Sequence, residues 1–229
     1  MKAAIFHGPQ QELTIEDVEV DKPLGREVLV KTVASGVCHS DLHFVDGLYA
    51  FPAPAILGHE AAGIVEAVGP QVTDFAPGDH VIACLSVFCG NCDYCLTGQT
   101  HLCQSSDVRR GKDDPPKYSW QGQEVAQFAN LSSYAEQMLV YENALVKIRE
   151  DMPLNQAALI GCGVTTGVGA ALNTAKVEPG STVAVFGCGG VGLSAIQGAL
   201  IAGARTIIAV DTVESKLATA RELGATHSV

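Results

Sequence analysis

Basic residues are scarce in this chain. Lys and Arg number 14 against 25 Asp and Glu, a formal charge of -11 at pH 7. A nucleic-acid surface needs a basic patch or stripe, and the one adjacent basic pair is Arg109–Arg110. A nucleic-acid partner is therefore not expected. Long apolar runs are missing as well. The start, MKAAIFHGPQQE, breaks its short apolar stretch at His7, Gly8 and Pro9, too early for a secretory signal. The windows 157–172 and 182–202 are dense in glycine and small residues and carry helix and strand signals, so neither reads as a membrane span. Internal repeats and low-complexity tracts are absent too. A cytoplasmic location is the expectation. There the cysteines stay reduced and read as ligands or nucleophiles rather than disulfides.

What is present is enough for a packed core. Of the 229 residues, 47% are hydrophobic and 17% charged, which excludes a disordered chain. The first 150 or so residues read as short strands broken by turns. EVLVKTVASGVC (27–38), EAAGIVEAVG (60–69) and FAPGDHVIAC (75–84) are strand-like, with Gly and Pro between them, as in a β barrel or sandwich. Residues 105–124 read as a polar loop. From about residue 164 the rhythm changes. STVAVFGCGGVGLSAIQGALIAGARTIIAVD (181–211) is a strand, a glycine turn, a helix and a second strand. Neither strand alternates with polar residues, so both faces are expected to be covered, as in a parallel sheet. A second helix over 213–224 and the start of a third strand follow. Six strands are usual in a doubly wound sheet. On the order of a hundred further residues are therefore expected, and the chain reads as a fragment or truncated product. On that reading residues 1–229 alone leave 182–187 as an exposed apolar edge and lack turnover.

Cys89, Cys92, Cys95 and Cys103 lie in C-x2-C-x2-C-x7-C. Closely spaced thiolates can wrap zinc tetrahedrally, and a closed four-thiolate shell leaves no position for substrate, so the site should be structural. An iron–sulfur motif begins the same way, but its next step is x3 with proline after the last cysteine; here Gln104 follows.

GCGGVG, from Gly187 through Gly189, Gly190 and Val191 to Gly192, follows a buried strand and opens a helix. In that context it is a dinucleotide-binding turn, with the pyrophosphate on the helix N-terminus. Asp211 ends the next strand, where a carboxylate accepts bonds from the adenosine ribose and repels a 2′-phosphate, so NAD is favoured over NADP. Lys216 could reach the ribose; taken alone it is a solvated charge.

Cys38 in GVCHSDLH, His59 with Glu60 in GHE, and Cys162 in IGCGVTTG form a dispersed set. Spacing cannot show that they converge, because they stand 21 and 103 residues apart.

Taken in order, GVCHSDLH, GHEAAGIVEAVG, PGDHV, CGNCDYCLTGQTHLC, IGCGVTTG, VFGCGGVG and IIAVD resemble the zinc-dependent medium-chain alcohol dehydrogenases. The resemblance covers essentially the whole chain. It implies a mixed fold. A GroES-like β-barrel domain over 1–163, with a zinc lobe at about 84–110, joins a Rossmann NAD-binding domain, truncated here, over 164–229, and the active site lies in the cleft between them. It implies that Cys38, His59 and Cys162 bind a catalytic zinc, that Glu60 sits beside the metal, and that Asp41 orients the histidine. It further implies a proton relay from Ser40 to His43, a nicotinamide contact at Thr166, and His39 where many members grip the pyrophosphate with arginine. The implied reaction is oxidation of a small-molecule alcohol to an aldehyde or ketone with hydride transfer to NAD, in a homodimer or homotetramer. Two other readings stay open: a nicotinoprotein that holds NAD permanently and uses an external acceptor, and a truncated zinc-stapled binding module without catalysis.

The long stretch from Gln104 to Ser133 resembles the class I and class III branch. Asp107 and Tyr49 depart from the residues that glutathione-dependent formaldehyde dehydrogenases carry there, which argues against hydroxymethylglutathione. Leu85 replaces a frequent aromatic ring of the pocket and leaves room for bulkier primary alcohols.

Overall fold

The β-branched runs of the sequence become strands in the computed structural model, which describes Met1–Val229. Two compact units emerge, Met1–Gly161 and Cys162–Val229. In chain order the first carries β1 (Lys2–Phe6), β2 (Thr14–Asp17), β3 (Glu19–Val20), β4 (Glu27–Gly36), α1 (His39–Val45), β5 (Ala55–Ile56), β6 (Glu60–Val68) and β7 (His80–Ala83). It continues with α2 (Asp93–Leu96), β8 (Tyr118–Trp120), β9 (Gln123–Glu124), β10 (Ala126–Gln127), β11 (Gln137–Tyr141), β12 (Leu145–Lys147) and α3 (Leu154–Ala157). The second carries α4 (Gly163–Gly169), β13 (Thr182–Phe186), α5 (Gly190–Ile201), β14 (Thr206–Val210), α6 (Glu214–Glu222) and β15 (His227–Ser228). No single helix is long and apolar enough to cross a membrane.

The first unit is built on an antiparallel five-stranded sheet in the order β11-β4-β6-β7-β12. Alternation sends Val28 and Val30 of β4, with Ala61 and Val65 of β6, into one core with Met138 and Leu131. Leu131 and Met138 are fully buried, which stabilises the fold by about 1.5–3 kcal/mol each. Ala62 points the other way, onto Ala157 and Ala158, so β6 is covered on both faces. The β4–β6 register pairs Gly36 with Glu60. That one pairing brings Cys38, two residues past β4, beside His59, one residue before β6.

The stretch 105–124 is not the plain loop its composition predicts. Tyr118 is fully buried, and its hydroxyl accepts the Leu139 N–H at 2.8 Å; β8 pairs with β3 and β9. The charges that mask this strand in the sequence are partly interior. Arg110, with 9% of its side chain exposed, lies 2.6 Å from Asp21 and 2.7 Å from Glu27. It also donates to the carbonyls of Pro115 and Lys22 at 2.9 and 2.8 Å. Lys117 completes the group, 3.4 Å from Glu27.

In the second unit β13, β14 and β15 form a parallel sheet in that order. Ile196 and Ala199 of α5 pack with Ile207, Ala209 and Cys188 into a core that Val183 and Val185 border. The second face of β13, which the apolar run predicts to be covered, is open in residues 1–229. Thr182, Ala184 and Phe186 point away from α5 and are exposed, Phe186 at 80%.

Candidate metal centres and dinucleotide turn

The four lobe cysteines converge. Their Sγ atoms all lie within 4.8 Å of one another, with Cys89–Cys95 at 3.9 Å, Cys92–Cys95 at 3.5 Å and Cys92–Cys103 at 3.8 Å. Zinc–sulfur bonds of roughly 2.3 Å in a tetrahedron set sulfurs about 3.8 Å apart, so the donor set fits zinc without rearrangement. Local backbone does the gathering. The N–H groups of Asn91 and Cys92 donate to the Cys89 sulfur, and that of Cys89 to the Cys103 sulfur. The Asn91 bond above all, with that of Cys92, brings the Cys89 thiol down to about 6, whereas burial first of all pushes Cys95 up to about 11. Cys89, Val87 and Val108 belong to the first-unit core, which ties the lobe to the sheet.

Cys92→Ala should therefore cost stability rather than chemistry. Three remaining donors cannot close the shell. We expect faster hydrogen exchange over 89–103 and a melting temperature lower by about 5 °C or more. An unchanged melting temperature with lost turnover would overturn this assignment.

The dispersed set also converges. Donor atoms of Cys38, His59 and Glu60 lie within 4.8 Å of one another and of the Sγ of Cys162, the residue that follows Gly161 in the chain. His59 and Glu60 are buried. Asp41, in the first turn of α1, turns its carboxylate back. It meets His59 Nδ1 at 3.1 Å and accepts the N–H groups of Gly58 and Cys38 at 3.1 and 3.3 Å. Burial works against charge on both partners, but their mutual bond outweighs it: Asp41 is held below the usual carboxylate range and His59 above the usual imidazole range. For Cys38, burial is likewise outweighed, by bonds from the Ser40 N–H and hydroxyl and from His59, which lower the thiol. Two sulfurs, one imidazole and one carboxylate form a donor set suited to zinc.

Along α1, Ser40 lies at the Cys38 sulfur, and the His43 ring stands between those of His39 and Tyr49, at 5.6 and 5.7 Å. His39 and Ser40 are exposed, His43 half-buried. Thr166 is exposed on α4, where its N–H donates to the Cys162 carbonyl at 2.8 Å.

The glycine turn joins β13 to α5. Gly187 takes φ of +89°, a left-handed conformation that favours glycine, and its N–H donates to Val210 at 2.8 Å. Asp211 buttresses the turn from below. Its carboxylate accepts the Cys188 N–H at 2.7 Å and the Val213 N–H at 2.9 Å. These bonds, Cys188's first, hold it below the usual carboxylate range. Lys216 Nζ is 3.9 Å from the same carboxylate.

Comparison with known proteins decides the family. The profile described as alcohol dehydrogenase GroES-like domain matches residues 25–150, and that described as zinc-binding dehydrogenase matches 190–229. The chain is 42% identical to an alcohol dehydrogenase zinc-binding domain protein from Burkholderia ambifaria (TM-score 0.92), covering 100% of this chain and 63% of that one. It is 41% identical to benzyl alcohol dehydrogenase from Acinetobacter calcoaceticus (TM-score 0.87), covering 99% and 62%. An NAD-dependent alcohol dehydrogenase is 32% identical (TM-score 0.82), covering 100% and 63%.

The chain belongs to the zinc-dependent medium-chain alcohol dehydrogenases.

It spans under two thirds of the length of these three relatives. As a member of this family it combines a GroES-like domain with a partial Rossmann domain, as expected from the sequence. Two features of this dehydrogenase chain escape sequence reasoning. Tyr134 reaches Asp41 with its hydroxyl at 2.9 Å, from 93 residues away, and a lone tyrosine in a strand-like stretch gives no signal of that. The Asp211 carboxylate binds the turn itself, a role that its position at the strand end does not announce. Cys188 is fully buried in the second core and packs as a small apolar side chain.

Proposed function

We propose that this chain serves an enzyme that oxidises an alcohol to the aldehyde or ketone with hydride transfer to NAD. Cys38, His59 and Cys162 would hold the reactive zinc, Glu60 stands beside it, and Cys89, Cys92, Cys95 and Cys103 would hold a structural one. The observation that carries the reading is the convergence of Cys38, His59, Glu60 and Cys162 within 4.8 Å. When bound, zinc supplies a Lewis acid that lowers the hydroxyl pKa of an alcohol, and NAD supplies the hydride acceptor. The residues of the chain then manage orientation and the proton. Asp41 fixes the His59 ring through Nδ1, which leaves Nε2 as the donor. The Ser40 hydroxyl takes the alcohol proton, and His43, three residues along α1, passes it outward. The N–H groups at the start of α5 receive the pyrophosphate, and Thr166 the nicotinamide end. Leu85, and the likeness to a benzyl alcohol dehydrogenase, support bulky primary alcohols as substrates. The test is NADH formation by the full-length enzyme that carries this chain, across an alcohol panel, with benzyl alcohol expected to exceed ethanol in kcat/KM. No NADH with any alcohol would sink the proposal.

Cofactor choice rests on Asp211. We expect NAD to exceed NADP about 30-fold or more in kcat/KM, from roughly 2 kcal/mol of repulsion and lost ribose bonds. Asp211→Asn should narrow that ratio while keeping one acceptor for the turn. Equal kcat/KM for the two cofactors in the unaltered protein would contradict this.

A further inference from the structure

Tyr134 belongs to no motif, yet it closes the ring of donors around Asp41. The Asp41 carboxylate is 2% exposed. Its Oδ1 accepts from Gly58 N–H and His59 Nδ1, its Oδ2 from Cys38 N–H and the Tyr134 hydroxyl. A carboxylate offers about four lone-pair sites, so these four donors fill it. Of the two bonds on Oδ2, the tyrosine's is the shorter, 2.9 Å against 3.3 Å for Cys38 N–H. The ring has a prepared place. Tyr134 N–H donates to Leu57 and its carbonyl accepts from Ala4, at 3.0 and 2.8 Å. Gly58 has φ of +90°, and a Cβ there would lie 2.5 Å from the Tyr134 ring. The tyrosine therefore occupies the space that a side chain at position 58 would need, directly before His59.

We propose that Tyr134 is a positioning residue for the Cys38–His59–Cys162 metal centre: its hydroxyl pins Asp41, and Asp41 holds His59 with Nε2 presented to the metal. The proposal rests on reading that group as a metal centre. Without the hydroxyl, Oδ2 keeps only the long bond from Cys38 N–H. The carboxylate is then held by three donors instead of four, and the imidazole is held less firmly with it. Hydrogen-bond partners of metal-ligating histidines typically set metal affinity by about 10- to 100-fold.

The experiment is chelator competition on zinc-loaded protein, unaltered against Tyr134→Phe, with zinc counted by elemental analysis. Both should carry two zincs as prepared. One zinc should leave Tyr134→Phe about 10-fold faster than the unaltered protein. The other, in the Cys89 cluster, should leave at the unaltered rate. The metal-stripped variants should melt alike, which separates holding the metal from folding. Equal release of both zincs in the two proteins overturns the proposal. A metal-stripped Tyr134→Phe that melts lower or does not fold overturns it too, because the hydroxyl would then serve the fold. His59→Ala tests the underlying reading. If it still holds two zincs, the centre is misassigned, and the failure lies there rather than with Tyr134.

Discussion

Cys38→Ala should abolish alcohol-dependent NADH formation, by roughly a thousandfold or more, and leave the protein folded with one zinc of two. Cys38 offers one of only two sulfurs in its cluster and caps α1 next to Ser40. Losing it removes a metal ligand and the attachment of the relay hydroxyl together. A Lewis acid contributes several kcal/mol to stabilising charge on a reacting oxygen, and about 4 kcal/mol corresponds to that loss of rate. The Cys89 cluster shares no residue with this one and should stay loaded. Circular dichroism, zinc content and kcat together check the result. Turnover within tenfold of the unaltered protein would exclude Cys38 as a ligand of the reactive metal.

Gly192→Ala is expected to be the most damaging single methyl in the second unit. A Cβ at 192 would stand 1.8 Å from the Gly187 carbonyl oxygen and 2.9 Å from its carbon. Both are backbone atoms, so no rotamer relieves the clash, and α5 must lift off the turn. We expect a loss of about 4 kcal/mol or more, the range reached only by such mechanisms, and no measurable NAD binding. Gly189→Ala and Gly190→Ala supply the contrast. A Cβ at either meets nothing within 4 Å, so both proteins should fold and lose only affinity for the dinucleotide, whose phosphates need that space. Melting curves and calorimetric NAD titrations separate the cases. A Gly192→Ala protein that melts like the unaltered one would refute the packing argument.

How far apart in sequence the partners lie decided which parts of the site could be read. The cysteine lobe was legible because its ligands fall within fifteen residues and local N–H groups gather them. The turn was legible because strand, glycines and helix are consecutive. Convergence of Cys38 and His59 was not readable from spacing, since it depends on the β4–β6 register; family resemblance alone supplied that expectation, and that for Cys162. Tyr134 and Arg110 stayed hidden for the same reason. Their partners Asp41 and Glu27 lie 93 and 83 residues away, beyond any periodicity.

Arg110 gives the segment after the lobe an unexpected character. Its Nε, Nη1 and Nη2 carry five N–H groups, and acceptors on Asp21, Lys22, Glu27 and Pro115 engage all three nitrogens. Surface segments ordinarily tolerate insertions and deletions. This one is anchored at both ends, by the Arg110 guanidinium on its carboxylates and by Tyr118 in the core, so an added residue has to be taken up by the exposed turn over 111–116. Lysine cannot substitute, since a point charge with three donors does not span that fork. Moving this segment into another protein of the same fold should therefore require Asp21 and Glu27 to move with it, which ties two distant stretches of the chain to one guanidinium.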